Sequence, residues 1–207
     1  MTQYGFVIDR RRCIGCHSCA VACKVANNLP EGMWYNRVLT EDADFMDVAQ
    51  GTYPQLTLGH FPVTCQHCSM PACTEACPTG ATFKDEATGI VMQDTEVCIG
   101  CESCIQACPY PGVRTLQGDE PVFSVDFAVG NQSAPAHHAA TVEKCMLCAR
   151  ELEAGAQPAC MDLCPGRARY FGDFDDPGSE VSKLVAEREW EQLLPEAGTG
   201  PNVYYLK

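Results

Sequence analysis

The chain has 207 residues, enough for one large domain or two small ones. With 27 Asp and Glu against 14 Lys and Arg, its formal net charge is -13, which sets nucleic acid and anionic lipid aside as direct partners. Its longest apolar stretches, such as Phe6-Val7-Ile8 and Phe127-Ala128-Val129, fall far short of the ~20 residues of a membrane span, so the expectation is a soluble chain.

In chain order, Tyr4 to Ile8 reads as a short strand and Ser18 to Asn27 as an Ala-rich helix. Between them, Arg10-Arg11-Arg12 runs straight into Cys13-Ile14-Gly15-Cys16, with no apolar region to make it an export signal. These arginines are expected to be solvated surface charge or local compensation for an anionic site. Residues 24 to 64 form a connector with Asn27-Asn28-Leu29-Pro30 and an acidic patch from Glu41 to Asp47. Thr82 to Lys84 and Ile90 to Gln93 flank Asp85-Glu86-Ala87-Thr88-Gly89, the pattern of a hairpin with glycine where unusual backbone angles are needed. Glu102 to Ala107 reads as another short helix. Residues 109 to 144 make a second connector with a strand-like Val122 to Val129, and both connectors are expected to touch a partner. Asp176-Pro177 reads as the cap of a final helix striped by Val181, Leu184, Val185, Leu193 and Leu194. The tail from Asn202 to Leu206 is apolar enough to tuck against this chain or another.

The cysteines dominate this layout. Sixteen of them fall into four runs: Cys13, Cys16, Cys19, Cys23; Cys65, Cys68, Cys73, Cys77; Cys98, Cys101, Cys104, Cys108; and Cys145, Cys148, Cys160, Cys164. Each run opens with CxxC and closes with CxxxC, and three end in Cys-Pro, at Pro78, Pro109 and Pro165. Closely spaced cysteines on a tight loop can present three thiolates to one corner-liganded iron-sulfur core, and the proline stops the short helix that follows. A disulfide framework rarely repeats one local pattern four times. Zinc ribbons join two separated CxxC pairs by a long spacer, whereas here a third and fourth cysteine follow within a few residues in most runs. Iron-sulfur ligation is the favoured reading, and with the cysteines occupied the 46% hydrophobic fraction leaves only a modest core that ligation must tie together. His67 is expected to be an ordinary loop histidine, and the His137-His138 pair to lie on the surface. No phosphate loop, nucleophile elbow or dinucleotide fingerprint is present, so no catalytic residue is nominated.

The first and third runs resemble the bacterial ferredoxin run C-x2-C-x2-C-x3-C, and the others lengthen its middle gap. In two-cluster ferredoxins the fourth cysteine of each run ligates the other cluster. That resemblance implies that runs work in pairs. The second and third are separated by only residues 78 to 97, and the first and fourth are left to pair across the chain. The fold expected is α+β, two nested bacterial-ferredoxin-like units, each with two [4Fe-4S] clusters, and loop insertions. Residues 1–24 with 137–176 would form the outer unit and 58–112 the inner one, with 25–57 and 113–136 as connecting insertions and 177–207 as a C-terminal helix and tail. Carried over, the exchange puts Cys13, Cys16, Cys19 and Cys164 on cluster 1 and Cys145, Cys148, Cys160 and Cys23 on cluster 2. It puts Cys65, Cys68, Cys73 and Cys108 on cluster 3, and Cys98, Cys101, Cys104 and Cys77 on cluster 4.

With all four runs in place, Tyr4 to Phe174 resembles the iron-sulfur electron-transfer subunits of the molybdopterin oxidoreductase family, such as those of dimethyl sulfoxide, polysulfide and thiosulfate reductases. The segments Lys144-Cys145-Met146-Leu147-Cys148 and Pro158-Ala159-Cys160-Met161-Asp162-Leu163-Cys164-Pro165 carry the likeness most strongly. It implies a chain non-catalytic by itself, holding four [4Fe-4S] clusters and relaying single electrons. The partner implied is a large catalytic subunit with a bis-pterin molybdenum or tungsten centre, together with a quinone-linked membrane subunit or a soluble donor. The expected location is cytoplasmic, or extracytoplasmic by co-export with the catalytic subunit. A free-standing polyferredoxin is the alternative, and a zinc-stabilised interaction module a third reading.

Overall fold

The computed structural model describes residues 2–40, 49–131 and 134–207. The acidic patch from Glu41 to Asp47 lies outside the described residues. The elements in order are β1 (Tyr4–Asp9), α1 (Ser18–Ala26), β2 (Asn36–Thr40), β3 (Gln50–Thr52), β4 (Gln55–Thr57), β5 (His60–Thr64), α2 (Ala72–Glu75), β6 (Thr82–Lys84) and β7 (Val91–Gln93). They continue with α3 (Ser103–Gln106), β8 (Arg114–Gln117), β9 (Thr141–Lys144), α4 (Ala149–Glu153), α5 (Ala159–Asp162), β10 (Arg169–Asp173), α6 (Glu180–Glu187), β11 (Trp190–Glu191) and β12 (Val203–Leu206). The chain is mixed α and β, with short elements and cysteine loops between them.

Strand pairing follows the cysteine runs in a regular way. Every run is preceded by one strand and followed by another. The strand after each run pairs antiparallel with the strand before the next: β2 with β5, β6 with β7, and β8 with β9. The circuit closes where β10, after the fourth run, pairs antiparallel with β1, before the first, in a register from Tyr4 opposite Asp173 to Ile8 opposite Arg169. Four short antiparallel pairs thus anchor the four cysteine loops, and the last pair joins the two ends of the cysteine-bearing region.

The hairpin expected around Asp85 to Gly89 forms as β6 and β7, with Gly89 at φ +70. The tail is an integral strand. β12 lies parallel to β1 and antiparallel to β11, giving a four-stranded sheet in the order β10-β1-β12-β11. Phe6, Ile8, Val203 and Tyr205 are fully buried in the main core with Leu147, and Val7, Val181 and Leu206 bury the opposite face of the sheet under α6.

Two sequence expectations are corrected. The final helix starts later than Asp176: Ser179 is its cap, its hydroxyl accepting from the Ser182 amide, while Asp176 instead accepts from Gly178 in the preceding turn. A serine one turn closer to the apolar stripe outcompetes the Asp-Pro pair. The helix stops at Glu187, so Leu193 and Leu194 lie beyond it. Val122 to Val129 forms no strand, although its apolar residues alternate. It is held instead against residues 28–31, with the Glu31 amide donating to the Val122 carbonyl and the Val129 amide donating to Asn28 Oδ1. Alternation specifies a strand only where a neighbouring edge is free to pair with it.

Candidate metal centres

The cysteine loops share one backbone device. The residue before the second cysteine of each run has a left-handed φ: Gly15 at +67, His67 at +43, Gly100 at +65 and Leu147 at +55. In the first, second and fourth runs both thiols of the kinked CxxC line one cavity. Glycine adopts the kink freely, while His67 and Leu147 hold it under strain of order 1–3 kcal/mol, supported by burial. Both are fully buried. At Gly100 a Cβ would also overlap the Ala140 carbonyl oxygen, which cannot move without shifting the backbone before β9. Gly100→Ala should therefore destabilise the protein by roughly 1–3 kcal/mol and lower its iron content, checked by thermal unfolding and iron analysis. Wild-type values for both would refute the strain account.

The folded chain brings cysteines of different runs together. Cys13, Cys16, Cys19 and Cys164 line one small cavity. Cys23, Cys145, Cys148 and Cys160 line a second. A third is lined by Cys65, Cys68, Cys73 and Cys108. Of the remaining four, Cys77 stands close enough to Cys101 for the charge of one to act on the other, and Cys98 and Cys104 pack in one apolar cluster with Cys73, Val91 and Val142. Eight cysteines are buried, and only Cys16 and Cys101 are exposed.

Whether these sets suit iron-sulfur clusters can be judged from the donors. Among the described residues, no three His, Cys, Asp or Glu side chains converge tightly enough for a single metal ion. Cysteines gathered in fours around three cavities instead fit a multinuclear core, which a zinc ion ~2.3 Å from each sulfur does not require. Backbone amides also point at the sulfurs. Thr82 N–H donates to Cys77 Sγ at 3.4 Å, Val142 to Cys98 at 3.4 Å, Leu147 to Cys145 at 3.3 Å and Ala168 to Cys164 at 3.3 Å. Such donors modulate the potential of whatever the sulfur binds.

Three buried cations, which the sequence did not announce, complete the site. Arg114 Nη2 donates to Cys73 Sγ at 2.8 Å and Nη1 to Gln93 Oε1 at 3.2 Å. Arg169 places Nη1 3.7 Å from Cys160 Sγ and donates from Nη2 to Asn36 Oδ1 at 3.0 Å. Lys144 Nζ donates to the carbonyls of Val91 and Cys145; burial pulls its pKa down, opposed by the charges of Cys65 and Cys145. All are at most 5% exposed. Burial works against the charge on Arg169, but the cysteine charges of Cys160 and Cys19 outweigh it and raise its pKa. At Arg114 burial is likewise overcome, by Cys73 and Cys65 first. The sequence does carry a signal. Arg114 and Arg169 each open the strand that follows a Cys-Pro, at β8 and β10, and Lys144 immediately precedes Cys145.

The arginines near the start behave differently from one another. Arg10 ion-pairs with Glu191 at 2.8 Å and lies over the Phe61 ring, whereas Arg12 donates to Gly166 O and Tyr170. His67 is fully buried and accepts from the Val91 amide through Nδ1; burial, with Lys144 and Arg114 nearby, pushes its pKa well down and keeps it neutral. His138 is half exposed, but the expectation of a surface His137 is corrected. His137 Nδ1 sits 2.6 Å from Glu143 Oε2 and Nε2 lies 3.0 Å from Asn27 O, with the Tyr35 hydroxyl donating to the same Glu143 oxygen. This triad lines a surface hollow together with Met146 and Arg150. Burial disfavours the imidazolium, but Glu143 overrides it and raises the His137 pKa. A raised pKa means that the stabilisation is full below the unfolded value near 6.5 and is lost as pH rises through the folded value. His137→Ala should thus cost about 1.5–3 kcal/mol below pH 6 and less at alkaline pH, measured by denaturant unfolding across that range. A cost that grows with pH would contradict the pairing.

The family model for the 4Fe-4S dicluster domain matches residues 56–128 and 131–174, spanning the last three runs. The chain belongs to this 4Fe-4S dicluster family. Similar proteins include iron-sulfur subunits of reductases. A Halobacterium salinarum protein, named as an iron-sulfur subunit of dimethyl sulfoxide reductase, is 43% identical, with all of this chain and 79% of the relative aligned. The arsenate respiratory reductase iron-sulfur subunit of Shewanella sp. strain ANA-3 is 36% identical over 99% of this chain and 96% of its own length. A tetrathionate reductase subunit of Salmonella typhimurium is 37% identical over 99% and 72% respectively. The chain is an electron-transfer subunit and not by itself an enzyme.

Proposed function

We propose that this subunit carries four [4Fe-4S] clusters and relays single electrons to or from a large catalytic subunit that holds a bis-pterin molybdenum or tungsten centre. The clusters, when bound, supply one-electron redox chemistry; the protein's share is to ligate them, exclude water and set their charge environment. The observation that carries this reading is the grouping of cysteines, three from one run and one from another, around three cavities. On it rest the ligand sets: Cys13, Cys16, Cys19 and Cys164; Cys23, Cys145, Cys148 and Cys160; Cys65, Cys68, Cys73 and Cys108; and Cys77, Cys98, Cys101 and Cys104.

The same grouping supports two nested ferredoxin-like units, the outer from residues 1–24 and 137–176 and the inner from 58–112. Residues 25–57 and 113–136 are then their connecting insertions, and 177–207 add a C-terminal helix and tail. Among the described residues no helix is long and apolar enough to cross a membrane. Contact with a membrane would accordingly run through a quinone-linked partner, on the cytoplasmic side or across it by co-export. The relatives' names as reductase subunits favour this reading over a free polyferredoxin.

Iron and acid-labile sulfide analysis of the anaerobically purified chain should give about sixteen of each. A tagged chain drawn from its host should bring with it a large molybdenum or tungsten protein. Zinc in place of iron and sulfide would end the cluster reading; a partner-free chain active as a diffusible carrier would end the subunit reading.

A further inference from the structure

The buried cations Arg114, Lys144 and Arg169 have no carboxylate partner among the described residues, although an uncompensated buried charge is costly. Their neighbours form a pattern. Arg169 lines the cavity of Cys13, Cys16, Cys19 and Cys164, yet its guanidinium reaches Cys160 of the next set. The Lys144 ammonium spans from the carbonyl of Cys145, in that second set, to the carbonyl of Val91, in the wall of the cavity of Cys65, Cys68, Cys73 and Cys108. Arg114 lines this third cavity and bonds Cys73, and its other nitrogen donates at 3.3 Å to the hydroxyl of Thr82, whose amide donates to Cys77 of the fourth set. Each cation therefore stands between two cysteine sets, and the three together order the sets in a line. The sets at the two ends are those with an exposed cysteine, Cys16 and Cys101, each beside an exposed isoleucine, Ile14 and Ile99.

We propose that Arg169, Lys144 and Arg114 are the internal counterions of a linear wire, one at each junction, and that each holds up the reduction potential of the two clusters it separates. This rests on the four-cluster reading above. The charge moved at each hop is one electron, with no bond made or broken and no proton taken up. In a medium of low polarity that added negative charge is expensive unless a fixed positive charge lies beside it. Two cations flank each interior position and one flanks each end, so the interior of the wire stays accessible to an electron despite its burial and the chain's net charge of -13.

The test is a redox titration followed by low-temperature electron paramagnetic resonance on the full chain in its native assembly, comparing wild type with Arg169→Gln, Lys144→Gln and Arg114→Gln. Each variant should lower two of the four potentials, with the reduced-to-oxidised ratio at fixed potential falling about tenfold, equivalent to about 59 mV for a one-electron couple. The pairs moved by Arg169→Gln and Arg114→Gln should share no member, and Lys144→Gln should move one from each. No movement, equal movement of all four, or overlapping pairs for the two arginines would overturn the proposal. Iron and sulfide are counted on the same samples: a wild type far short of about sixteen iron atoms is a failure of the four-cluster reading instead. Should a glutamine variant lose iron, Arg169→Lys and Arg114→Lys carry the test. They keep the charge but not the planar fork, and should leave the potentials at wild-type values; a tenfold fall there overturns the counterion account.

Discussion

Serine in place of Cys164 should abolish the same paramagnetic signal of the reduced protein as serine in place of Cys13, at the far end of the cysteine-bearing region. The two residues line one cavity with Cys16 and Cys19, because β10 and β1 pair in register and bring the loops at their ends side by side. A serine hydroxyl is a harder and more weakly ionised ligand than a thiolate, so either change should degrade the cluster at that cavity and leave the others. Cys23→Ser should match Cys145→Ser in the same way, since those residues share the neighbouring cavity. If Cys164→Ser instead removes the signal that Cys145→Ser removes, each run holds its own cluster and the exchanged ligand sets are wrong.

Stripping the iron with a chelator and an oxidant should unfold the chain, seen as loss of a cooperative thermal transition and rapid proteolysis. The apolar clusters are small, and several are completed by cysteines: Cys23, Cys65 and Cys145 lie with Leu29, Met33 and Tyr35 in one, and Cys73 and Cys104 in another. Without metal, burial drives the thiols of Cys23, Cys145 and Cys73 toward the protonated form, and the charges of neighbouring cysteines reinforce it. Cys23 is raised well above its usual value by burial and then by Cys145 and Cys160, Cys148 is pushed up to about 12, and Cys160 and Cys108 to about 11. Folded values above the unfolded one near 9 mean that any residual stability of the apoprotein is full below that pH and is lost as pH climbs toward 12. The loaded protein, its thiolates committed to metal, should lack this alkaline transition. An apoprotein that melts cooperatively at the temperature of the loaded form would show that the packing alone suffices.

Much of the site could be read before folding because it depends on residue type and local spacing. The CxxC loops, β1 and the hairpin of β6 and β7 are local, and glycine marks the kink at Gly15, Gly100 and Gly89. At His67 and Leu147 the same kink carries no glycine, so nothing local announces it. The pairings of β2 with β5 and β8 with β9 were hidden by the connectors between partners, and β12 by its short, isolated apolar run. The buried cations were missed for a physical reason: an arginine ordinarily reads as surface, and only the convergence of cysteines from separate runs creates enough local negative charge to keep Arg169 and Arg114 inside. His137 was misplaced likewise, its partner Glu143 being buried through a tyrosine 108 residues away.

The connectors between runs enter and leave through closed strand pairs. One connector is closed by β2 and β5, with Thr40 opposite His60, and the other by β8 and β9, with Gln117 opposite Thr141. A chain segment pinned at both ends by a ladder transmits little of its own length to the loops below, and doubling a flexible segment costs only about 0.6 kcal/mol in closure entropy. Apart from the contacts at His137, Ala140 and residues 122–129, these two places can therefore change length without displacing a cysteine. The length of the chain between the ladders and the spacing of the cysteine loops are thus set independently of each other.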